Sequence, residues 1–315
     1  MNSYGSKPVC GVIGAGFIGS SIISRLSSSG YTVKVLTRSF KQTHSLYKNT
    51  SFVYGDFSDY RLLDEFLNNV DVVIHLISST VPCDIHVDFV DDLRQNLFST
   101  VKFLEACSKH NIKQVLFASS ASVYGDCEAS EGFTELSLTN PISSHGMQKL
   151  AIEKYMLYYG NLNNLKIHIL RISNPFGENQ NINARQGFIA MTIGNIKKNQ
   201  PVPISSNGLI IRDFLHVDNV AIAFQLCIED PEVNSIVNVS SGEGRTLAKV
   251  IDYISFLSGI NISLAPFPEL PTNIKCSILS PTVLLKKIKN WPTISFADGI
   301  KSTLGHFSLY SPTKR

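Results

Sequence analysis

Short apolar runs alternate with longer amphipathic stretches through the first half of the chain. Pro8–Ile13 reads as a buried strand, and Gly14-Ala-Gly16-Phe-Ile-Gly19 follows it directly. A helix with apolar Ile22, Ile23 and Leu26 comes next and stops at Gly30, before a second strand over Thr32–Thr37. The rhythm continues with strands at Ser51–Tyr54, Asp71–Leu76, Lys113–Ser119 and Leu165–Ile172. Between them lie a long helix within Asp84–His110 and another from about His145 to Gly160. Strands of this length separated by helices predict a parallel sheet wound on both faces, with ligands at the carboxyl ends of its strands. Asp56, Ser78, Ser119 and Ser120 fall at such ends.

Beyond Ile172 the pattern becomes irregular. Asn174–Asn183 reads as a loop, Gly187–Lys198 as a helix, Pro201–Gly208 as a turn and Leu247–Leu257 as a further helix. The expected class is therefore α/β: a Rossmann-type doubly wound parallel sheet with a smaller α+β C-terminal cap. The expected division gives a dinucleotide-binding domain over 1–173, with a return segment near 212–240, and a substrate-binding cap from 174–211 and 241–315.

Composition narrows the choice of partners. Apolar residues make up 43% of the 315 positions, enough for a substantial core. Lys plus Arg is 28 and Asp plus Glu is 25, a net charge of +3. That bias is too weak to argue for nucleic acid or a membrane surface, and it suits an anionic small ligand. No basic–aromatic interleaving points to nucleic acid, no stretch has the apolar length of a membrane span, and no His/Cys/Asp spacing points to a metal. The six cysteines (Cys10, Cys83, Cys107, Cys127, Cys227, Cys276) contain no C-x-x-C pair. Free thiols in a reducing cytosol, without disulfides, are the expectation. Lys7 followed by apolar Val9–Ile23 has the outline of a secretion signal. The glycines inside it and the missing small-x-small cleavage site favour a phosphate loop instead.

Two stretches carry candidate chemistry. G-x-G-x-x-G between a strand and a helix lets backbone N–H groups and a helix N-terminus approach a pyrophosphate. The second runs from Ser119-Ser-Ala-Ser-Val-Tyr-Gly125 to Pro141-Ile-Ser-Ser-His-Gly-Met-Gln-Lys149. His145 and Lys149 lie one helical turn apart and share a face, so both can point toward the Ser120 hydroxyl.

These segments, with Gly55-Asp56, Asp71–Leu76, Gln95-Asn96, Lys149–Tyr155, Leu170–Gly177, Arg212–Asp218 and Asn238–Gly242, make the chain resemble a known family. It is similar to the extended short-chain dehydrogenases, in particular the NAD-dependent epimerases and dehydratases of nucleotide sugars, and most to the UDP-glucose 4-epimerase-like branch. The resemblance spans nearly the whole chain. It implies that a nicotinamide takes a hydride from C4 of a sugar and returns it to the other face. It implies catalytic roles for Ser120, His145 and Lys149. Cofactor contacts are implied for Gly14, Gly16, Phe17, Ile18, Gly19, Thr37, Arg38, Asp56, Phe57, Leu76, Ser78 and Lys149. Ser120, Asn174 and Arg212 would contact substrate, Arg212 by pairing with its diphosphate. NAD is the implied cofactor, a UDP-hexose or its N-acetyl derivative the implied substrate, a homodimer the implied assembly, and surface polysaccharide synthesis in the cytoplasm the implied setting.

The chain departs from the family pattern at four places. His145 stands where the family has tyrosine, which leaves two readings: an imidazole acid/base, or a site that binds without turning over. Thr37-Arg38 supplies no acid for the ribose, which makes NADP an alternative cofactor and a 4-keto-sugar reductase an alternative activity. The glycines are spaced G-x-G rather than G-x-x-G. The segment Leu270–Asn273 lacks the second arginine often found in the cap, with Lys275 as the nearest substitute. Tyr124, His75 and His216 read as packing residues, and Trp291 as part of the C-terminal cap.

Overall fold

The computed structural model describes residues 7–39, 47–78, 89–127, 132–184, 186–230, 232, 235–269 and 274–311. Ser79, Thr80, Cys83, the first residues of the expected 84–110 helix and the Leu270–Asn273 segment lie outside them.

The strands are β1 Cys10–Ile13, β2 Val33–Thr37, β3 Thr50–Tyr54, β4 Val72–His75, β5 Gln114–Ser120, β6 Lys166–Ile172, β7 Asn174–Phe176, β8 Val202–Ile204, β9 Ile211–His216, β10 Ile236–Val239, β11 Gly244–Thr246, β12 Leu264–Pro266 and β13 Cys276–Ser277. The helices are α1 Phe17–Ser28, α2 Tyr60–Leu67, α3 Phe89–Leu93, α4 Ser99–Lys109, α5 Ser144–Asn163, α6 Phe188–Lys197, α7 Val217–Glu229, α8 Leu247–Ser258, α9 Thr282–Lys287 and α10 Phe296–His306.

Seven strands form one sheet in the order β10-β6-β5-β4-β1-β2-β3. Every pairing in it is parallel. This is the doubly wound Rossmann-type α/β arrangement that the alternation predicts. The order reverses between β1 and β4, so a crevice opens there at the carboxyl ends of the strands. The central strands are buried on both faces, which explains their unbroken apolar runs. One face carries a core that joins Ile22, Ile23 and Leu26 of α1 to Val220 and Phe224 of α7. The other joins Leu63 and Phe66 of α2 to Phe103 of α4 and to Ile152 and Met156 of α5.

Local chemistry sets the helix starts. Asp59 accepts from the backbone N–H groups of Arg61 and Leu62 at the head of α2. Ser143, Thr246 and Ser295 cap α5, α8 and α10 in the same way. Each cap satisfies donors that a helix start leaves open.

A third core of Ile193, Phe214, Val250, Ile254, Ile300 and Leu304 joins α6, β9, α8 and α10. Strands β7, β11 and β13 all pair with β9. Asn174–Phe176 is therefore a strand rather than part of a loop. Its three residues lie inside a run with Pro175 and Gly177 and gain their order from the β9 ladder, not from propensity. Trp291 also differs from expectation: it packs in the α1/α7 core and donates from Nε1 to the Ser240 carbonyl at 2.7 Å. The segment Arg94–Phe98, between α3 and α4, winds with wider π-type turns.

Candidate active site

The cradle is built by the glycine loop. Gly14 has φ +108, a conformation that favours glycine. A Cβ on Gly19 would lie 2.0 Å from the Gly14 carbonyl oxygen, so only hydrogen lets α1 start so close to β1. Gly16 differs, because a Cβ there would meet nothing within 4 Å. It stands as the N-cap of α1 and provides no side-chain hydrogen bond to the first turn. The leading N–H groups of α1 thus face the crevice with the partial positive charge of a helix start. This geometry fits a dinucleotide pyrophosphate. Phe17, Ile18, Leu76 and Ser78 line the same cleft, whose volume is about 740 Å³.

Four expected cofactor residues are not brought into that cleft wall. Thr37 and Arg38 end β2, and Asp56 and Phe57 follow β3. Arg38 and Asp56 are exposed. The Asp56 carboxylate accepts from Ser58 Oγ at 2.6 Å and from Ser58 N at 2.9 Å. Those bonds, with help from the Arg38 charge, hold its pKa below the ordinary value. Phe57 is buried, its ring edge-on to His75 at 5.0 Å. These four residues line the outer end of the sheet's carboxyl edge, beyond the described cleft.

The chemical centre forms where β5 ends and α5 begins. Ser120 Oγ accepts from Ser122 N at 3.2 Å and donates to Ser122 Oγ at 3.0 Å, capping the tight turn Ala121–Val123. The first turn of α5 sits against that turn, since a Cβ on Gly146 would lie 2.5 Å from the Ser122 carbonyl oxygen. His145, in this first turn, is buried and lines the cleft together with Ser120, Ser122, Ser143 and Lys149. Lys149 Nζ donates to the Ala118 carbonyl at 2.8 Å and lies 4.6 Å above the Phe117 ring. Burial pushes its pKa from 10.5 down to about 8, while the Glu153 charge pulls it upward. His75 lies beneath, ringed by Phe57, Phe103 and Phe117 and hydrogen-bonded to Thr100. Burial, helped by the Lys149 charge, lowers its pKa to about 3 and keeps it neutral.

Strands β7 and β9 supply Asn174 and Arg212 to the cleft lining. Asn174 Nδ2 donates to the Asp213 carbonyl at 3.3 Å. Arg212 donates from Nη1 to the Ile211 carbonyl at 2.8 Å and from Nη2 to the Ile274 carbonyl at 2.6 Å. Burial lowers its pKa to about 10, opposed by the charge of Asp126, and the group stays cationic near neutrality. Beside it, Asp213 is buried and accepts from Ser241 N, Ser241 Oγ and Gly242 N, at 2.9, 2.6 and 3.1 Å. No aspartate or glutamate lines the described part of the cleft, whereas Lys149, His145 and Arg212 do. That balance suits polyanionic ligands.

The cysteine expectation is corrected. Cys127 and Cys276 are joined as a disulfide, while Cys10, Cys107 and Cys227 are buried thiols. The two partners are 149 positions apart and meet where the Cys127 N–H donates to the Cys276 carbonyl at 3.1 Å. Sequence reading also missed cleft residues Ser122, Ser143, Gln180, Asn181 and Ser277. Ser143 was detectable as a cap three residues before Gly146, but the amides and Ser277 carry no motif.

The NAD dependent epimerase/dehydratase family model matches residues 11–240. The chain belongs to that family. It is 33% identical over 245 residues to a putative UDP-glucose 4-epimerase of Methanocaldococcus jannaschii, covering 76% of this chain and 79% of the relative. It is 27% identical over 296 residues to a dTDP-4-dehydro-6-deoxyglucose reductase of Escherichia coli, covering 91% and 93%. Among solved structures, a Thermus thermophilus UDP-glucose 4-epimerase in complex with NAD superposes with a TM-score of 0.87 at 29% identity, covering 95% of this chain and 99% of that one.

Proposed function

We infer that the chain is a nucleotide-sugar 4-epimerase, acting on a UDP-hexose or its N-acetyl derivative with NAD as cofactor. The observation that carries this reading is the convergence of Ser120, His145 and Lys149 on the wall of the cleft that the glycine loop opens, opposite Asn174 and Arg212. When bound, nicotinamide supplies a group that accepts a hydride and returns it. The protein's part is to hold the sugar and move its hydroxyl proton. Arg212, a fixed cation, binds the diphosphate, and Asn174 lies beside it on the same wall. Ser120 hydrogen-bonds the reacting oxygen. His145 replaces the family phenol as proton acceptor. It sits in the first turn of α5, one turn from Lys149 and on the cleft wall.

Removal of a positioned acid/base costs roughly 10²–10⁴-fold in rate. His145→Ala is expected to lose turnover of UDP-sugars by that order while retaining bound dinucleotide, measured by mass spectrometry of the purified protein. Unchanged turnover in His145→Ala would eliminate imidazole as the base. A rise in His145→Tyr would instead identify a site that has lost activity.

A second reading, reduction of a 4-keto sugar with NADPH consumed, is favoured by Arg38, which stands at the end of β2 where an acid would select NAD. The two readings differ in cofactor handling: an epimerase co-purifies with NAD, and a reductase exchanges it. Calorimetry with NAD and NADP decides between them.

A further inference from the structure

Below the cleft, five polar side chains form a buried chain that the reaction as described leaves unused. Ser119 and Arg171 are cross-strand neighbours in the β5–β6 ladder. Both reach Glu153 of α5, whose side chain is only 1% exposed. Arg171 grips the carboxylate with both arms, Nε to Oε1 at 3.1 Å and Nη2 to Oε2 at 2.7 Å, and Ser119 Oγ donates to Oε1. Arg171 Nη1 is tied in turn to the Tyr124 hydroxyl at 2.8 Å, and Tyr124 to Asn238 at 2.8 Å. A buried ion pair is poor evidence for stability, because desolvation cancels much of its attraction. Its location is informative. Glu153 is one turn after Lys149 on the same buried face of α5, and Ser119 adjoins both Ala118, which receives the Lys149 ammonium, and Ser120.

We propose that Glu153, clamped by Arg171 and Ser119, is a positioning residue for the site: it keeps Lys149 protonated and aimed at the end of β5. The proposal rests on the reading of Lys149 as a working cation of this cleft. The titratable and charged groups on the elements around Lys149 support the assignment. His75, from β4, is neutral. His145, on its own helix, lines the same cleft wall. Asp92, from α3, is engaged by Gln148 and Asn96. Arg171, from β6, carries the wrong sign. Glu153 is the anion whose charge acts on Lys149. Without it, a buried ammonium with one carbonyl partner tends to shed its proton.

The test reads Lys149 itself. In carbon-13 lysine-labelled protein without added ligand, the Cε resonance that Lys149→Met removes is followed against pH. Glu153→Gln keeps the shape and loses the charge, and Glu153→Asp keeps the charge. We expect the Lys149 midpoint to fall by about one unit, a tenfold change in proton affinity, in Glu153→Gln and to remain near the wild-type value in Glu153→Asp. If Glu153→Gln leaves Arg171 too poorly paired to fold, Glu153→Gln/Arg171→Met removes both ions, and the midpoint falls in the same direction by a smaller step, because the Arg171 repulsion is lost with the Glu153 attraction. A Lys149 midpoint that stays at the wild-type value in the folded neutral variant overturns the proposal. The measurement needs no turnover, so failure of the epimerase reading shows separately, as absence of activity on UDP-sugars in the wild type. Where turnover is present, the alkaline limb of kcat/KM moves acidward with the midpoint.

Discussion

Lys149 is buried at a cost to the fold that depends on pH. Folding lowers its pKa from 10.5 to about 8, chiefly by desolvation. Below the folded value both states hold the proton, and the native state bears the whole cost of burying an ammonium. Between the folded and unfolded values the native state releases its proton while the unfolded chain keeps it, so this cost is relieved as pH rises. Lys149→Met is therefore expected to melt at a higher temperature than wild type near neutral pH, with the gap closing as pH climbs through 8 toward 10.5. A gap that is constant across that range would mean that packing, not charge, separates the two proteins. Gly19 gives a sharper residue-level outcome. Any side chain there drives into the Gly14 carbonyl, so Gly19→Val is expected to abolish dinucleotide binding in calorimetry, whereas Gly16→Ala, which meets no protein atom, should fold normally and weaken binding only through the ligand. Both glycines were legible from spacing alone, and so was the placement of Ser120, His145 and Lys149 together on the cleft wall, whereas Arg212 was expected only from the family resemblance. The division of labour between the two glycines was not, because it depends on which one faces protein and which faces the cleft.

Helix α5 explains why part of the site was hidden in the sequence. Its buried face carries His145, Lys149 and Glu153, while Met147, Tyr155, Tyr158 and Leu162 are exposed. Polarity is thus partly inverted, and Lys149–Glu153 reads on paper as an ordinary surface pair at one-turn spacing. Only the β5–β6 register, which sets Arg171 beside Ser119, reveals an interior ion pair. The cap strand β13 was hidden for another reason. Its two residues gain order from long-range contacts: Asp126 accepts from Lys275 N and Cys276 N at 3.1 and 2.8 Å, Cys127 N donates to the Cys276 carbonyl at 3.1 Å, and the disulfide closes the same contact. Ile274 beside it receives Arg212. A cross-link spanning so long a loop stabilises by about 5 kcal/mol in the chain-entropy model. Reduction with a phosphine is expected to lower the melting temperature by several degrees and to weaken UDP binding. Cys127→Ser/Cys276→Ser should start at the lower values and ignore the reductant. Equal melting of oxidised and reduced wild type, with the link verified by non-reducing peptide mapping, would remove the cross-link from this account.

At the scale of the whole molecule, the fold class was readable because a parallel sheet buried on both faces writes itself as apolar runs separated by helices. Assembly is written less plainly, in what the fold leaves exposed. Helices α4 and α5 pack side by side on one face of the sheet. Met147, Tyr155, Tyr158 and Leu162 fall within one outward stripe of α5, and Phe98, at the turn leading into α4, is 57% exposed. Large apolar residues gathered on one face mark an association surface more often than a solvated one. A two-fold axis through this stripe would set α5 against its own copy and bury each residue in both subunits at once. The expected outcome is a homodimer in sedimentation equilibrium, and Tyr158→Glu/Leu162→Glu should yield a monomer, because like charges would then meet across the axis. The cleft lies at the carboxyl end of the sheet, formed by a single subunit's glycine loop, α5 start and cap, so the monomer should still bind dinucleotide. Loss of binding on dissociation would mean instead that the inner face of α5, with Lys149 and Glu153, depends on its outer face being covered.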